Sequence, residues 1–433
     1  MSNTRKGSSL ASSAELDEPS SDAEALPPVD RRFTLTTFSA FRVSAFKWMF
    51  ISGNIGTLGY QMQGVALGWL VYVLTHSAVY LGAITTMESI SQFVASPIGG
   101  VIADRVERRN YILVVRLITV VTAAVVLALV ATHRITILDL IIAAAFFGIA
   151  FGLNGPARQA LLAQIVGKDL LMNAVSLTSG GMNLMRILGP AAAGFLIGIT
   201  GVQGIYAILL ICYIGVILAL LPVPPQPLEP TTKPRNVVGD LSEGLSYSFR
   251  DPAVFGLLLI ASVPLFFAMP YIPLLPIFAE SIWHSGAMGY GVLSAAPGVG
   301  GLIGALGVAS FSHARQKGRI ILIGSVVYGL ALSLFALSPN IPVAVIFLAV
   351  AGAMGVTYSA TVSSVVQTII PNEMRGRVMS LYQMSYGISG LSALPASAVA
   401  SLFGAPATIV GCGLLTAGSV LVIFKLRPVL ASL

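Results

Sequence analysis

Two ionisable residues, Glu88 and Arg186, lie deep inside apolar stretches of the sequence. At about 1.5 Å of rise per helical residue, Glu88 lies roughly 24 Å outward from Asp104, and Arg186 lies roughly 20 Å outward from Asn173. A charge inside hydrocarbon is costly and usually has a function. The similar depth predicts that the two side chains face one polar cavity and are coupled directly or through water. There, Glu88 would carry a proton whose binding changes the preferred conformation.

Simpler explanations exist for each of these residues. Glu88 is alternatively a static, water-exposed carboxylate near the outer mouth, and Arg186 a structural ion pair or carbonyl clamp. Arg186 would equally attract an anionic substrate. Two further arginines, Arg116 and Arg158, lie near the inner ends of their apolar stretches, where a long side chain can reach the membrane surface. We expect them to form a structural or gating pairing with the loop around Asp104 rather than to contact the substrate.

Neutral polar and aromatic side chains inside the apolar stretches are the candidates to line a substrate path. They are Asn54, Tyr60, Gln61, Gln63, Gln92, Asn183, Tyr271, Tyr358, Tyr382, Gln383 and Tyr386. Charges are absent from the central parts of the apolar stretches in the second half of the chain, so we expect that half of the cavity to be apolar and aromatic. Such a surface suits an amphipathic organic molecule.

Membrane-spanning helices are the elements that must position these residues. Of the 433 residues, 56% are hydrophobic and only 9% are charged, whereas a soluble domain is about 25% charged. A soluble enzyme is therefore excluded. A spanning helix needs about 20 mainly apolar residues. The sequence offers twelve such stretches, at 46–74, 78–103, 111–132, 136–160, 173–199, 202–222, 253–279, 288–311, 320–338, 341–368, 378–403 and 405–425. They predict an all-α membrane protein with 12 transmembrane helices.

The twelve stretches form two sets of six that resemble each other. The segment 161–177, after the fourth stretch, aligns without a gap with 365–381, after the tenth. Both have an apolar start, an acid and a Ser-Leu ending. This repetition predicts two pseudo-symmetric six-helix bundles with a substrate path between them. The predicted organisation is a disordered, Ser- and acid-rich cytoplasmic tail at 1–40, bundles at 41–222 and 253–427, a cytoplasmic linker at 223–252 and a cytoplasmic tail at 428–433.

The distribution of positive charge predicts the orientation in the membrane. Of the 24 lysines and arginines, Arg134 alone falls in a predicted loop on the outer side. Positive residues accumulate on the cytoplasmic side of membrane proteins, so we place both termini in the cytoplasm and the protein in the inner (plasma) membrane. The net charge of +7 then reflects topology and contact with anionic lipids, and argues against nucleic acid as a partner.

Residue types that would support other chemistry are sparse. The chain has two cysteines and four scattered histidines, which give neither a disulfide scaffold nor a zinc-binding spacing. The sequence has no phosphate-binding loop and no nucleophile–base arrangement. We therefore expect no enzyme activity, no metal and no cofactor other than a coupling proton.

A distinctive segment, GGVIADRVERRN, begins at Gly99. Within it, Gly100 permits close approach of neighbouring helices. Asp104 is a carboxylate at a helix end, where it can accept hydrogen bonds from the exposed amides of another helix. The segment also carries three arginines that face the cytoplasm and can pair with acids or lipid phosphates. These are Arg105, Arg108 and Arg109.

The GxxxDRxxRR pattern of this segment resembles the motif A loop of the major facilitator superfamily, with Glu107 at the usual glycine. Three stretches are similar to the enterobactin-exporter-like and drug-efflux branch: GGVIADRVERRN, SAAPGVGGLIGALGVASFSHARQKGR and PNEMRGRVMSLYQ. The resemblance covers roughly 40–425. It implies an alternating-access carrier, often an exporter driven by the proton gradient. It also implies that Asp104 caps the eleventh helix near Val378 in one conformation and releases it in the other.

We therefore expect a secondary active transporter, with proton-coupled export of an amphipathic small molecule such as a siderophore or a drug. Two alternatives stay open. One is an uptake carrier for a small organic solute, since the sequence does not set the direction, and the other is a non-transporting membrane scaffold or sensor. The expected partners are a small-molecule substrate and the lipid bilayer, without nucleic acid, and the expected oligomeric state is a monomer.

Overall fold

The computed structural model describes residues 36–227, 237–310 and 316–432. These residues are almost entirely helical, and no β-strand occurs among them. The all-α fold expected from the composition is confirmed. Most of the tail predicted to be disordered, 1–35, lies outside the described residues, as does 228–236 in the predicted linker.

The first helices are closely spaced along the chain. A short 3-10 helix, Thr36–Arg42, comes first. Three long helices follow it: α1 (Ser44–Thr75), α2 (Ala78–Ala103) and α3 (Arg108–Ala131). The Glu107 carboxylate accepts hydrogen bonds from the backbone amides of Arg109 and Asn110, at 3.0 and 2.7 Å. An N-terminal cap of this kind satisfies amides that have no partner within the helix. The residue at the usual glycine of motif A therefore fixes the start of α3.

Two glycines divide the next element, α4 (Ile137–Leu220), which is 84 residues long. Gly167 has a φ of 68° and Gly201 a φ of 70°, in a region that residues with a Cβ avoid. Each glycine therefore ends one helical segment and precedes the next. The segments are α4a (137–166), α4b (168–200) and α4c (202–220), and they coincide with the fourth, fifth and sixth predicted stretches.

The second half of the chain contains nine helices of differing length among the described residues. They are α5 (Val237–Arg250), α6 (Pro252–Ala268), α7 (Tyr271–Ile277), α8 (Gly286–Ser310), α9 (Lys317–Ala336), α10 (Ile341–Ile369), α11 (Asn372–Ser389), α12 (Ala393–Phe403) and α13 (Ala405–Leu426). The seventh predicted stretch is bent, because α6 ends before Pro270 and α7 continues into a π-helical turn at Phe278–Ile282. The eleventh is divided in the same way into α11 and α12 by a 3-10 turn, Gly390–Ser392.

Eight helices of the described residues are long and apolar enough to cross a membrane. One of the eight is α4, which contains three helical segments. Polar side chains lower the hydropathy of α1 and α2, which fall outside this group. All twelve predicted stretches are helical over almost their whole length, while the count of twelve crossings stays a prediction.

The helices assemble into two halves. In the N-terminal half, α1, α2 and α3 pack mainly against α4, and in the C-terminal half α6 to α13 pack against one another. The linker helix α5 packs on α6 and α11, where Glu243 accepts a 2.8 Å hydrogen bond from Arg377. The two halves meet through contacts of α4 with α8 and of α2 with α12. The space between these contacts is where a substrate path is expected.

Candidate transport cavity

A cavity of about 630 Å³ lies between the two halves. We call the surface formed by α1, α2 and α4b its N-terminal wall, and the surface formed by α6 to α10 its C-terminal wall. Sites for drug-sized ligands have volumes of about 300 to 1,000 Å³. The cavity is therefore large enough to hold an organic molecule of that size.

The N-terminal wall carries the charged groups of the cavity. Glu88 from α2 and Arg186 from α4b both line it. The structure therefore places in one cavity the two residues whose similar depth predicted a shared cavity. The hydroxyl of Tyr60, from α1, lies next to the Glu88 carboxylate, close enough for the two groups to interact. Arg186 is exposed to the cavity and lies close enough to Tyr60 to interact electrostatically.

Glu88 and Arg186 do not form an ion pair with each other, at an N–O limit of 4.0 Å. Within the described part of the chain, Arg186 donates no hydrogen bond to another side chain. Its positive charge is therefore free to meet an anionic group in the cavity. Three uncharged polar side chains that the sequence predicted for the substrate path also line this wall: Gln61, Gln92 and Asn183.

The C-terminal wall is aromatic and apolar. Its tyrosines are Tyr271, Tyr290, Tyr328 and Tyr358. The rings of Tyr328 and Tyr358 stack with their centroids 6.0 Å apart. None of the described residues on this wall is charged. Because a tyrosine offers an apolar ring and a polar hydroxyl, this wall can hold the apolar part of a ligand whose polar part faces Glu88 and Arg186.

Two polar residues of α1 lie away from the cavity. Gln63 is buried inside the N-terminal half, where the Tyr213 hydroxyl donates a 2.6 Å hydrogen bond to its side-chain oxygen. Asn54 donates to the backbone oxygen of Phe50 at 2.8 Å. Neighbouring positions on a helix face different directions, so Gln61 reaches the cavity and Gln63, two residues later, does not. A polar residue in an apolar stretch therefore marks an interior position, and not always the substrate path.

The candidates on α11 also fall outside the cavity lining. Tyr382 is buried and donates to the backbone oxygen of Ser359 at 3.0 Å, and Gln383 is exposed. The side chain of Tyr386 lies outside the described residues. Sequence reasoning missed Tyr290 and Tyr328; the polar neighbour that could have indicated α8 is Ser294, which also lines the cavity.

Arg116 and Arg158 turn into the N-terminal half and do not pair with the Asp104 loop. A Cβ built on Gly53 of α1 would lie 2.6 Å from a guanidinium nitrogen of Arg158. A Cβ on Gly56 would lie 3.2 Å from a nitrogen of Arg116. The expected pairing does not form because the small glycines of α1 leave room for both long side chains inside the bundle.

The three arginines of the motif A segment differ in their surroundings. Arg109 donates hydrogen bonds to the backbone oxygens of Leu220 and Leu221, at 3.5 and 2.7 Å, and so stabilises the end of α4c. Arg105 is exposed, whereas Arg108 is partly buried and its Nε has no hydrogen-bond partner. The segment therefore ties α3 to α4c through Arg109.

The halves close against each other at the end where α1 finishes, here called the closed end. Tyr72 of α1 shares a hydrogen bond with Ser281 of the π-helical turn. Gly194 of α4b meets Gly291 of α8 so closely that a Cβ on Gly194 would lie 2.6 Å from the Cα of Gly291. Backbone contact of this kind leaves no passage between α4b and α8.

Space surrounds the residues at the opposite end, here called the open end. A Cβ on Gly100 of α2, on Gly307 of α8 or on Gly376 of α11 would meet no atom within 4 Å. Asp104 is exposed and forms no side-chain hydrogen bond among the described residues. The close contacts that seal the cavity, Tyr72–Ser281 and Gly194–Gly291, therefore lie at the other end. This is the arrangement in which, by the family resemblance, Asp104 is released from the eleventh helix.

Comparison with protein families and curated proteins gives consistent results. The sequence model of the family described as "Transmembrane secretion effector" matches residues 35–432. The enterobactin exporter EntS of Escherichia coli O1:K1 / APEC is 28% identical over 339 residues, which cover 78% of this chain and 80% of EntS. EntS of Shigella flexneri has the same identity and coverage.

Solved transporters share the fold. The nucleoside transporter NupG is 14% identical, with a TM-score of 0.70 over 89% of this chain and 98% of NupG. A POT family transporter bound to 5-aminolevulinic acid is 12% identical, with a TM-score of 0.71 over 89% of this chain and 96% of its own. A bacterial homologue of the human lysosomal transporter Spinster, inward-facing and unoccupied, is 15% identical, with a TM-score of 0.66 over 90% and 96% of the two chains.

Proposed function

Because the chain belongs to the transmembrane secretion effector family of the major facilitator superfamily, and is thus a multi-pass membrane transporter, we propose that it exports an amphipathic small molecule by alternating access, driven by protons. The cavity between the two halves carries this proposal. It is closed at one end by contacts between the halves, and it is large enough for a drug-sized ligand.

Glu88 is the proposed proton carrier. It is the single carboxylate among the described residues that line the cavity, and it lies next to the Tyr60 hydroxyl. A carboxylate in a water-filled cavity at membrane depth can take up a proton from one side and release it on the other. Protonation of Glu88 removes the negative charge beside the positive charge of Arg186, which changes the electrostatic balance of the wall. Proton binding can therefore shift the population of the two conformations.

The contrast between the walls supports an amphipathic substrate. The polar head of such a molecule would face Arg186 and the amides of the N-terminal wall, and its apolar or aromatic part would face the tyrosines of the C-terminal wall. The similarity to EntS favours a siderophore, whereas the size of the cavity and its aromatic wall also suit drug-like compounds. Antiport with protons would drive either out of the cell.

Our proposal places the protein in the inner (plasma) membrane with both termini in the cytoplasm, so that the open end faces the cytoplasm. The positive charge of the loops at that end supports this orientation. In this conformation the cavity is ready to receive a substrate from inside the cell. A monomer is sufficient for this mechanism, since both walls of the cavity come from one chain.

A flux assay in inverted membrane vesicles tests the proposal. Enterobactin, a macrolide and a lipophilic dye serve as probes, each with and without a protonophore. The proposal predicts uptake of at least one probe into inverted vesicles, abolished by the protonophore. Uptake only in right-side-out vesicles would indicate an import carrier. No flux of any probe in either orientation would favour the scaffold or sensor alternative.

A further inference from the structure

Two arginine side chains meet inside the N-terminal half, apart from the cavity lining. Arg158 of α4a lies against Gly53 of α1, and Arg116 of α3 lies against Gly56, with the close approaches of 2.6 and 3.2 Å given above. Residues three apart share one face of a helix, with Cβ positions about 5–6 Å apart. The two guanidinium groups therefore occupy neighbouring places on one face of α1. They are close enough to repel each other.

No carboxylate among the described residues neutralises this pair. The segment 36–227 contains five acids, namely Glu88, Asp104, Glu107, Asp139 and Asp169. None of them forms an ion pair with either arginine at an N–O limit of 4.0 Å. Neither Arg116 nor Arg158 donates a hydrogen bond to a described residue. The pair thus carries two positive charges at membrane depth without a counter-charge from the described residues.

The groups around the pair are neutral, and one of them also lacks a partner. Asn154 lies one helical turn before Arg158 on α4a, is only 8% exposed, and has a side-chain oxygen without a hydrogen bond. Tyr213 of α4c is near enough to Arg116 to interact electrostatically, but its hydroxyl already donates to Gln63. Buried polar groups in folded proteins are normally hydrogen-bonded, so an incomplete set here points to a missing ligand.

An anion would complete this set of groups. Two like charges inside a bundle destabilise it unless an opposite charge lies between them. Guanidinium groups bind the paired oxygens of carboxylates and phosphates with good geometry. Both arginines are partly accessible, and Gly53 and Gly56 precede the cavity residue Tyr60 on the side of the open end. A small anion can therefore reach the pair from that end.

We propose that Arg116 and Arg158 form an oxyanion-binding site in the N-terminal half, between the open end and the level of Glu88. The ligand is a phosphate or a carboxylate that bridges the two guanidinium groups. It comes from a soluble anion or from the phosphate of an anionic lipid headgroup, which has no choline cation to balance its charge and offers the same oxygens. The site depends neither on the identity of the transported substrate nor on proton coupling.

Thermal unfolding of the full-length protein in nanodiscs tests this site. In discs of phosphatidylcholine alone, sodium phosphate is titrated against sodium chloride at equal ionic strength, with inorganic phosphate as the probe. For a soluble-anion site, phosphate should raise the Tm of the wild type in a saturable way. Arg116→Gln and Arg158→Gln should each weaken the apparent affinity at least tenfold. Arg134→Gln, which alters an exposed arginine near the closed end, is the matched control and should respond like the wild type.

Discs that contain phosphatidylglycerol separate the two sources. If a lipid headgroup fills the site, these discs should raise the Tm of the wild type and of Arg134→Gln. They should not raise the Tm of Arg116→Gln or Arg158→Gln, and added phosphate should have little further effect on the Tm. If a soluble anion fills it, phosphate should act equally in both kinds of disc. The conservative Arg116→Lys, which keeps the charge, should retain a weaker response. The site is refuted if neither anion stabilises the wild type, or if both stabilise the glutamine variants just as much.

Discussion

The Tyr60 hydroxyl lies next to the Glu88 carboxylate at the wall of the cavity. This contact joins α1 to α2 beside the positively charged Arg186. A hydroxyl in this place can donate a hydrogen bond to the carboxylate, and hydrogen bonds to charged groups contribute about 1.5–3 kcal/mol. If Glu88 carries the coupling proton, Tyr60 controls its geometry.

Tyr60→Phe should therefore reduce proton-driven flux roughly tenfold, since it removes the hydroxyl that can donate a hydrogen bond to the charged carboxylate. The measurement is the initial rate of probe uptake under an imposed pH gradient. Tyr111→Phe is a matched control, because the Tyr111 hydroxyl bonds to the backbone oxygen of Leu153 at 3.3 Å, outside the cavity lining. Equal rates for Tyr60→Phe and wild type would show that the Glu88–Tyr60 contact has no part in coupling.

The aromatic wall should contribute to substrate affinity. Tyr328→Leu removes a ring that stacks on Tyr358, and an aromatic contact contributes about 0.5–1.5 kcal/mol. We expect the KM of a transported aromatic probe to rise by about two- to tenfold, because roughly 1.4 kcal/mol corresponds to a factor of ten. Tyr80→Leu alters a tyrosine of α2 that is 41% exposed and should leave KM unchanged. A similar KM for both variants would argue against substrate contact at Tyr328.

Close backbone contact should hold the closed end together. Gly291→Val places a branched side chain where α8 touches Gly194 of α4b, and overpacking typically costs about 1–3 kcal/mol. We expect the halves to separate at this end. The readout is the distance between spin labels on Val73→Cys and Met288→Cys, two exposed positions near the closed end, in a background where the native cysteines are replaced by serine.

The same helix provides the control for this experiment. A Cβ on Gly307 of α8 would meet no atom within 4 Å, so Gly307→Val should leave the spin-label distance at its wild-type value. Gly291→Val should shift the distribution to longer distances. An unchanged distribution in folded Gly291→Val protein would mean that the contact with Gly194 does not keep the end closed.

The linker helix should add little stability through its ion pair. Glu243 and Arg377 have side chains that are 58% and 29% exposed, and exposed pairs contribute about 0–1 kcal/mol. Asp251 instead caps α6 by accepting hydrogen bonds from two backbone amides, which contributes about 0.5–2 kcal/mol. Thermal unfolding in detergent should therefore show a larger loss for Asp251→Ala than for Glu243→Ala. The reverse order would indicate that the linker contact is a major part of the fold.

Much of the fold followed from the sequence, because hydrocarbon imposes a strong requirement for long apolar helices. The breaks at Gly167 and Gly201 fall between predicted stretches, since glycine tolerates a positive φ at low cost. The sequence also predicted that Glu88 and Arg186 face one cavity, because the helical rise fixes the depth of each residue along the membrane normal.

Rotation about the helix axis was harder to predict than depth. Gln61 and Gln63 lie at almost the same depth, yet Gln61 lines the cavity and Gln63 binds Tyr213 inside the bundle. Apolar residues surround the whole circumference of a helix in lipid, so periodicity does not reveal which face is interior. The inward turn of Arg158 depends in the same way on a neighbouring glycine, Gly53, which belongs to another helix.

Proton coupling through Glu88 is tested most directly in proteoliposomes with an imposed pH gradient. The wild type, Glu88→Gln and a control, Asp139→Asn, are compared for gradient-driven accumulation of a transported probe and for its exchange without a gradient. Asp139 lies outside the cavity lining and bonds with Thr136 at the start of α4. We predict that Glu88→Gln loses accumulation and keeps exchange, while Asp139→Asn behaves as the wild type. Undiminished accumulation by Glu88→Gln would contradict the account.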